Sequence, residues 1–441
     1  MEEAYTGPIR EASRILATAV LENESSLVER ADELDSMVLT LVRKVGKEAL
    51  GQVLGHVSGE LEASAQSRGL TVERRRDVKV RTVLGVVAVP SPYLRNRETK
   101  ETARPVHDRM GFRSGTRTTA LERALTDFGA EESFELASKR VAEHYGQEVG
   151  RTSILRVVEK RAKEVQAFTE KRLHEAAEAF NEPTATRPGV DALLVELDGS
   201  MLRTGTLERD PAGGTTPVRG LPKKRRPETW REVRVSFVRQ PEEIDRTYVA
   251  GMEAYPVVVG KLFNAAVDRG LSENTKVWAV SDGGNGLREE LAAQFTNLTF
   301  LLDRPHLRAH LWEAAAAVSS DNNAQRRWVD TAMSLIDEGA IKDVIAAAEH
   351  YAARDIERMR KLAKHLTRFS DAVDYKRACE AGIPLGSGEV ESSHRYIPQK
   401  RMKIPGACWH PDNVNPMLAL RTLRANGWWD DFWDSRKNAA A

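Results

Sequence analysis

The sequence predicts a multidomain α/β protein, in which an α-rich N-terminal region precedes a mixed sheet with flanking helices. Three observations predict this fold class. The 441 residues are enough for two to four domains of ordinary size. Helical patterns, interrupted by one predicted hairpin, fill the first 190 positions. From residue 191, short apolar strands begin to alternate with helical stretches, which is typical of a sheet built with crossover helices.

Composition excludes several classes of protein. Lys and Arg total 66, Asp and Glu total 65, and 41% of the residues are apolar, so the chain is neither disordered nor of low complexity. No apolar run approaches the roughly 18 residues of a membrane span, and the acidic start Met-Glu-Glu-Ala is not that of a secretory signal. Two cysteines, Cys379 and Cys408, cannot form a disulfide framework or an all-Cys zinc site. We therefore expect a soluble intracellular protein without a membrane anchor.

Charge is strongly segregated along the chain although the total nearly cancels. Residues 1–66 carry 12 acidic and 6 basic residues, whereas residues 67–117 carry 13 basic and 5 acidic ones. Two further basic stretches lie at 219–230 and 396–403. Such blocks are expected of a protein that binds the phosphate backbone of a nucleic acid, and each one alone also fits an ordinary solvated face.

Residues 1–66 are predicted to form a helical N-terminal arm. Its acidic outer face suggests an antiparallel helical pair or a dimerising arm, and a purely structural role is an equal alternative. Five apolar residues there recur at helical spacing: Leu27, Leu34, Val38, Leu41 and Val45. Residues 67–117 form a basic region around a predicted hairpin, because β-branched residues alternate with Arg and Lys on either side of Gly85.

Residues 118–190 are predicted to contain two helices joined by a short turn, followed by a linker. The helices are expected at 133–145 and 152–163. A short glycine-containing connection and a Thr-Ser pair at the second helix start are typical of a helix-turn-helix that binds DNA, and an ordinary helical hairpin has the same pattern. In the DNA-binding geometry four residues would lie nearest the major groove: Arg151, Thr152, Ser153 and Arg156.

Residues 191–310 predict a central α/β unit. Strands are expected at 192–198, 232–239, 247–250, 275–282 and 298–303, with helices at 255–268 and 286–295. Because the first three strands follow one another directly, they can form an antiparallel meander. The later strands are separated by helices and must cross over.

Two of these strands end in an aspartate followed by a glycine. Asp198 lies in Leu-Asp-Gly-Ser and Asp282 lies in Ser-Asp-Gly-Gly. One such Asp-Gly is usually just a turn. Two carboxylates side by side at a sheet edge repel each other unless a cation lies between them, and Mg²⁺ prefers oxygen ligands of this kind. The pair therefore predicts a metal site.

A third carboxylate would complete such a site. The segment Gly-Ile-Pro-Leu-Gly-Ser-Gly-Glu-Val-Glu-Ser-Ser-His-Arg, which ends at Arg395, predicts a glycine-rich loop and a helix that carries Glu389 and Glu391. Two residues two positions apart on a helix point about 200° apart, so only one of them can face the metal. The spacing alone does not choose between them.

Together these motifs resemble those of bacterial insertion-sequence DDE transposases of the ISKra type. The resemblance rests on Leu-Asp-Gly-Ser, Ser-Asp-Gly-Gly, Gly-Ser-Gly-Glu-Val-Glu and the later Lys-Arg-Met-Lys-Ile-Pro-Gly-Ala-Cys-Trp, and Asp-Arg-Pro-His at 303–306 resembles an Asp-x-x-His element of such groups. It covers residues 190–433 closely and residues 1–190 in layout. It implies a ribonuclease-H-like core whose first part is 191–310, an all-helical insertion at 311–380, and a catalytic-glutamate helix with C-terminal helices at 381–441.

The resemblance also implies roles for individual residues. The acid that follows Gly-Ser-Gly-x-Val is catalytic in this family, and Glu391 occupies that position, with Glu389 as a neighbour or fallback. Asp198, Asp282 and Glu391 would be catalytic and would hold two Mg²⁺ ions, for which Mn²⁺ can substitute. Two further residues are expected to be accessory: Asp303 and His306.

Basic residues on both sides of the acids would contact DNA. The Pro-Lys-Lys-Arg-Arg-Pro loop would clamp DNA near the cut, and the residues after the catalytic helix would contact the scissile strand. The eight residues concerned are Lys223, Lys224, Arg225, Arg226, Arg395, Lys400, Arg401 and Lys403. Pro398 is expected to end that helix early. The chain lacks the Cys-rich zinc element that relatives often carry after the hairpin, so no structural zinc is expected.

The implied function is that of a DNA transposase in the bacterial cytoplasm, at the nucleoid. It would bind double-stranded transposon ends and target DNA as a homodimer or larger oligomer, and it would carry out Mg²⁺-dependent DNA cleavage and strand transfer. A ribonuclease-H-like nuclease without strand transfer and a catalytically inactive DNA-binding derivative remain alternatives. The aromatic tail at 427–433 is expected to pack inside the protein or against another protomer rather than on bases.

Overall fold

Two units of the chain pack around separate cores in the computed structural model. The structure describes residues 2–24, 26–180, 189–206, 208–209, 224–225, 229–284 and 286–438. The N-terminal unit comprises residues 1–128 and 134–154, and the C-terminal unit comprises residues 129–133 and 155–441. The division runs through α4 and α6 and just before α5, so none of its three boundaries lies at the predicted linker before residue 190.

The N-terminal unit combines a helical arm with a basic hairpin. Its elements are α1 (Glu2–Asn23), α2 (Leu34–Ser67), β1 (Thr71–Thr82), β2 (Gly85–Arg95), β3 (Thr102–Ala103), α3 (Pro105–Met110), α4 (Thr119–Glu131) and α5 (Phe134–Tyr145). The predicted hairpin is confirmed, since Thr82 pairs with Gly85 and the turn requires a φ of +125° that suits glycine. One face packs Val80 and Val87 against Leu50 of α2, while the Arg and Lys side chains of β1 stay exposed.

The predicted pair of helices after the hairpin is confirmed in position. α6 (Arg151–Phe180) follows α5 after a five-residue connection. It runs well past its predicted end at residue 163, because apolar residues continue at helical spacing and bury Val165 and Leu173. The four residues predicted to approach DNA lie in its first two turns, where Arg151, Thr152 and Arg156 are exposed. DNA binding by this pair stays a prediction.

A mixed five-stranded sheet forms the centre of the C-terminal unit. The elements of this part are β4 (Ala192–Thr204), β5 (Glu208–Arg209), β6 (Lys224–Arg225), β7 (Thr229–Arg239), β8 (Thr247–Gly251), α7 (Tyr255–Asp268), β9 (Lys276–Ser281), α8 (Leu287–Gln294) and β10 (Leu298–Leu302). The strand order is β10-β9-β4-β7-β8. β7 is antiparallel to β4 and β8, whereas β9 is parallel to β4 and β10. All five predicted strands of this unit are confirmed.

β4 is longer than predicted, which changes the setting of Asp198. The prediction that the strand ends at Asp198 is wrong: β4 continues to Thr204, because β7 pairs with it along this whole stretch. The parallel neighbour β9 pairs with β4 only as far as Glu196 and ends at Ser281. Asp198 therefore lies inside a strand, at the level where the neighbouring strand has ended.

Helices make up the rest of the C-terminal unit. They are α9 (Arg304–Val318), α10 (Asn322–Asp337), α11 (Ile341–Ala352), α12 (Glu357–Arg368), α13 (Tyr375–Glu380), α14 (Gly388–His394), α15 (Lys400–Met402), α16 (Val414–Ala425) and α17 (Trp429–Asn438). The stretch 311–380 is helical, as expected. None of the helices in the described ranges is long and apolar enough to cross a membrane.

Pro398 does not end the helix that carries Glu389 and Glu391, contrary to the prediction. α14 continues through a π-helical turn at Arg395–Gln399 into α15. A π-helical turn places the acceptor carbonyl one residue further back, so the missing N–H and the ring of Pro398 are accommodated without a break. Residues 388–402 therefore form one continuous helical segment.

The aromatic C-terminal tail packs within the chain. Trp433 is only 1% exposed, and Phe432 meets Phe168 of α6 edge to face with ring centroids 5.6 Å apart. The Arg172 guanidinium lies 4.3 Å from the Trp428 ring centroid. This packing explains why residues 155–180 of α6 belong to the C-terminal unit.

We expect Trp433→Ala to lower the free energy of unfolding by about 3–5 kcal/mol, because it removes a large buried side chain and leaves a cavity. Trp230→Ala is the matched control, since Trp230 is 60% exposed on β7. Urea denaturation of the three proteins measures both effects. Equal stability of the two variants would contradict the assigned packing.

Candidate active site

Three aspartates lie at one edge of the central sheet. Asp282 directly follows β9 and Asp303 directly follows β10, and the Asp303 N–H donates to the Ser281 carbonyl at 2.9 Å. Asp198 in β4 stands at the same level, because the parallel pairing of β4 and β9 stops two residues earlier. The parallel strands thus deliver their carboxyl ends to one place.

Asp198 and Asp282 interact through their charges. Burial raises the pKa of Asp198 and the negative charge of Asp282 adds to this, while a hydrogen bond from the Gly199 N–H opposes it. Asp282 is exposed and accepts a hydrogen bond from the Gly284 N–H at 2.9 Å. In the part of the chain that the structure describes, neither carboxylate has a Lys or Arg within 4.0 Å.

The structure separates the roles of the two glutamates on α14. Glu389 accepts hydrogen bonds from Arg239 at 2.7 and 3.1 Å and pairs with Arg246 at 2.9 Å. Glu391 points away from these arginines, is 51% exposed and lies 3.9 Å from His306 Nδ1. The ligand atoms of Glu391, His306 and Asp303 all lie within 4.8 Å of one another, so Glu391 faces the sheet edge that carries Asp303. The prediction from helical spacing that Glu389 and Glu391 point in opposite directions is confirmed.

β4 holds α14 in register at two points. Glu196 Oε2 accepts a hydrogen bond from the Val390 N–H at 2.9 Å, near the start of the helix. At its end, the buried His394 lies with Nε2 3.1 Å from the Asp198 carbonyl and Nδ1 2.9 Å from Ser200 Oγ. Burial lowers the pKa of His394, so its ring is neutral at neutral pH. These contacts fix where Glu391 stands relative to Asp198.

Glu196 is a buried carboxyl that the sequence interpretation missed. Its Oε1 has no hydrogen-bond partner among the described residues. Burial raises its pKa to about 8, and the charge of Glu389 adds to this, so the side chain is mostly protonated at neutral pH. An acid inside the apolar run Leu-Leu-Val-Glu-Leu was the available signal in the sequence.

Asp303 ties β10, α9 and the loop before α14 together. Oδ1 accepts from the His306 N–H at 2.8 Å and lies 3.3 Å from His306 Nδ1. Oδ2 accepts from the N–H and the hydroxyl of Ser387 at 2.6 and 2.5 Å. Burial alone would raise the pKa of Asp303, but these hydrogen bonds outweigh it and lower the pKa to about 2. The hydrogen bond with Asp303 in turn raises the pKa of His306 to about 9, so its ring is positively charged at neutral pH.

The site offers two arrangements of metal ligands. Asp303, His306 and Glu391 could hold a metal ion, since their ligand atoms all lie within 4.8 Å of one another. The ligand atoms of that set are less suited to a metal ion, because the oxygens of Asp303 already accept several hydrogen bonds and the ring of His306 is protonated.

The predicted set of Asp198, Asp282 and Glu391 is more open. Its ligand atoms do not all lie within 4.8 Å of one another, as expected of carboxylates that repel each other without a cation. Within the described ranges, the basic side chains within 4.0 Å of these three acids are His306 and the neutral His394. Carboxylate oxygens without a basic partner are the donor set that suits Mg²⁺.

Two of the residues after α14 that are predicted to contact DNA are exposed. Arg395 and Lys403 both reach solvent. Burial lowers the pKa of Lys403, and the charge of Asp198 opposes this, although the two side chains form no ion pair. Lys400 is also exposed, and it pairs with Glu131 at 2.8 Å.

The DNA contact predicted for Arg401 is wrong in this structure. Arg401 is 3% exposed, and its Nε donates to the Gly129 carbonyl at 2.9 Å. Its guanidinium also lies 5.0 Å from the centroid of the Trp409 ring. The continuation of the helix past Pro398 turns this side chain into the fold.

The basic loop between β4 and β7 falls largely outside the described residues. Lys224 and Arg225 form β6, which pairs with β5. Lys223 and Arg226 lie outside the described residues, as do the side chains of Lys224 and Arg225. The predicted DNA clamp stays a prediction.

No protein-family model matches this chain, and no curated protein matches it.

We expect Glu389→Ala to destabilise the protein by on the order of 3 kcal/mol, because it leaves the buried Arg239 without its carboxylate partner. Glu391→Ala is the matched control, two residues away on the same helix. It should leave stability unchanged within about 0.5 kcal/mol in the absence of divalent metal. Urea denaturation measures both, and a larger loss in Glu391→Ala would reverse the assigned roles.

Glu196 should make stability depend on pH. Because its pKa is raised in the folded state, from 4.5 to about 8, the unfolded chain releases the proton first. The contribution of Glu196 to the free energy of unfolding is therefore largest below pH 4.5, and it falls as the pH rises to 8. Glu196→Gln should lose this dependence, so its stability relative to wild type should increase between pH 5 and pH 8.5 in unfolding measurements with chelator. Parallel curves would contradict the assigned protonation.

Proposed function

We propose that this chain is a DNA transposase that cuts and joins DNA at Asp198, Asp282 and Glu391. The observation that carries the proposal is a set of three carboxylates without a basic Lys or Arg partner, gathered at one edge of the sheet within the described residues. Each belongs to one of the three motifs that resemble the DDE transposases of insertion sequences. Glu389, the alternative third acid, is engaged by two arginines.

The sheet supports the ribonuclease-H-like part of this proposal. Three successive strands are followed by two strands that each come after a helix, and only the second strand, β7, runs against the other four. The first aspartate lies on the central strand β4 and the second follows its neighbour β9. A helical stretch then separates β10 from the helix that carries Glu391.

Asp198, Asp282 and Glu391 would hold two Mg²⁺ ions, for which Mn²⁺ can substitute. Bound divalent ions lower the pKa of water and stabilise the charge that develops on a leaving oxygen. The chain's own residues supply orientation. Glu196, Ser200 and the backbone of β4 hold α14 so that Glu391 faces the aspartates.

Two cationic side chains would act on the phosphate. His306, kept protonated by Asp303, can donate a hydrogen bond to a phosphate oxygen through the ring nitrogen that does not face Asp303. Lys403 is exposed and interacts with the charge of Asp198, and it would neutralise part of the negative charge of the same phosphate.

The reaction has two displacements at phosphorus. Water attacks the phosphodiester at the end of the element, the P–O3′ bond breaks, and the 3′ oxygen leaves as a free hydroxyl. That hydroxyl then attacks a phosphodiester of the target DNA in line, and the target's own 3′ oxygen leaves. No covalent intermediate with the protein is needed. The basic hairpin and the α5–α6 pair would bind double-stranded DNA ends, with two or more copies of the chain pairing them.

A cleavage and joining assay tests the proposal. Purified protein is incubated with labelled DNA that carries the ends of its own element and with a supercoiled target plasmid, with and without Mg²⁺. Wild type should give Mg²⁺-dependent cleavage and joined product. Asp282→Ala should give neither, because one of the three carboxylates is lost.

Asp268→Ala is the matched control, since Asp268 is an exposed acid at the end of α7 and forms no ion pair with the described residues. It should keep full activity. Cleavage without joining would favour a nuclease without strand transfer, and specific binding of the ends without any product would favour an inactive DNA-binding derivative. Either result would overturn the proposal.

A further inference from the structure

A pocket lies between α9 and α12 in the helical insertion, apart from the three acids. Its volume is about 200 Å³. α9 contributes His310 and Glu313 to the lining, and α12 contributes Arg358, Lys361 and His365. α12 carries five Lys or Arg residues and one acid, so its exposed face is strongly basic.

The pocket lining has a net positive charge. Arg358 pairs with Glu313 at 2.9 Å, which neutralises the one acid in the lining. Lys361 is exposed and forms no ion pair or hydrogen bond through its side chain with the described residues. The positive charge of Lys361 is therefore available to a ligand, and the same charge opposes a metal cation in the pocket.

His365 provides an unused polar atom. Its Nε2 is buried and has no hydrogen-bond partner within the described ranges. Its ring lies 5.0 Å from that of His310, centroid to centroid. Burial lowers the pKa of His365 to about 4, and the neighbouring His310 and Arg368 add to this, so the ring is neutral and can offer an N–H. A buried polar atom without a partner is costly unless a ligand or water satisfies it.

The pocket lies next to the acidic edge. His310 follows His306 by one turn on the same face of α9. Phe369, just after α12, packs so closely on Gly283 that a Cβ there would come within 2.6 Å of its ring. The charge of Asp282 also acts on His365. A strand whose phosphate lies at the acids would pass this pocket.

We propose that the pocket binds a backbone phosphate of a nucleic-acid strand, next to the phosphate that is cut. Lys361 supplies the charge, and His310 and His365 supply hydrogen bonds to the phosphate oxygens. The inference rests on the proposed function, because it takes the strand at the acids to be nucleic acid. It adds a specific contact in the helical insertion.

Oligonucleotide binding with matched lysine variants tests the inference. The probe is a fluorescein-labelled single-stranded DNA, followed by anisotropy in chelator so that no cleavage occurs. Lys361→Gln should weaken binding about fivefold and reduce the slope of log affinity against log salt by about 0.7. Lys364→Gln is the control, because Lys364 is equally exposed and unpaired among the described residues, one turn away, and does not line the pocket. It should change affinity less than twofold.

Equal effects of the two variants would overturn the phosphate contact, because they would reflect general surface charge. A free phosphate ion is the other source of the same chemistry. Inorganic phosphate is therefore titrated at constant ionic strength while the imidazole NMR signals of His310 and His365 are followed. Shifts with phosphate, combined with oligonucleotide affinity that does not depend on Lys361, would assign the pocket to the free ion and overturn the proposal.

The Mg²⁺ assay on the same preparations separates the two proposals. If wild type cleaves DNA but Lys361→Gln and Lys364→Gln bind the oligonucleotide equally well, the phosphate contact in the pocket is overturned and the transposase proposal stands. If wild type never cleaves DNA but oligonucleotide binding depends on Lys361, the phosphate contact is supported and the transposase proposal is overturned.

Discussion

The site depends on how α14 is anchored to the sheet. In its first turn, the Val390 N–H donates a hydrogen bond to Glu196 of β4. The N–H and the hydroxyl of Ser387, the residue before α14, both donate to Asp303, which directly follows β10. Unpaired N–H groups at a helix start need acceptors, and here two buried carboxyl groups from the sheet supply them. These hydrogen bonds fix the start of the continuous helical segment 388–402 against the sheet. The sheet therefore determines where Glu391 stands.

The charges around α14 follow from this anchoring. Once the helix phase is fixed, Glu389 falls against Arg239 and Arg246, while Glu391 falls beside His306. One acid becomes part of a buried ion pair and the other remains free of basic Lys or Arg partners among the described residues. Asp303 is likewise a paired acid, because it accepts hydrogen bonds from His306 and Ser387 and keeps the ring of His306 positively charged. Hydrogen bonding and ion pairing, rather than residue type, thus distinguish the paired acids from the acids without a Lys or Arg partner among the described residues.

Much of this was predictable from the sequence because it is local. The strand endings at Asp282 and Asp303 and the glycine loop before α14 all appear as short patterns. The choice between Glu389 and Glu391 was not predictable from spacing, because it depends on Arg239, about 150 residues earlier in the chain. The extension of β4 past Asp198 depends on pairing with β7 across a long loop. Arg395 and Arg401 look alike in the sequence, but the fold leaves Arg395 exposed and buries Arg401 against the Gly129 carbonyl and the Trp409 ring.

The extension of β4 beyond Asp198 also connects the sheet to the helical segment 388–402. Past Asp198, β4 and β7 form a two-stranded ribbon of about six residue pairs, which is roughly 20 Å long. Its far end is fastened to Trp409, whose N–H donates to the Arg203 carbonyl and whose carbonyl accepts from the Gly205 N–H. Trp409 Nε1 in turn donates to the Met402 carbonyl at the end of α15. The ribbon thus connects Asp198 at one end, through Trp409 at the other, to the helical segment that carries Glu391, so one hydrogen-bonded framework holds both acids.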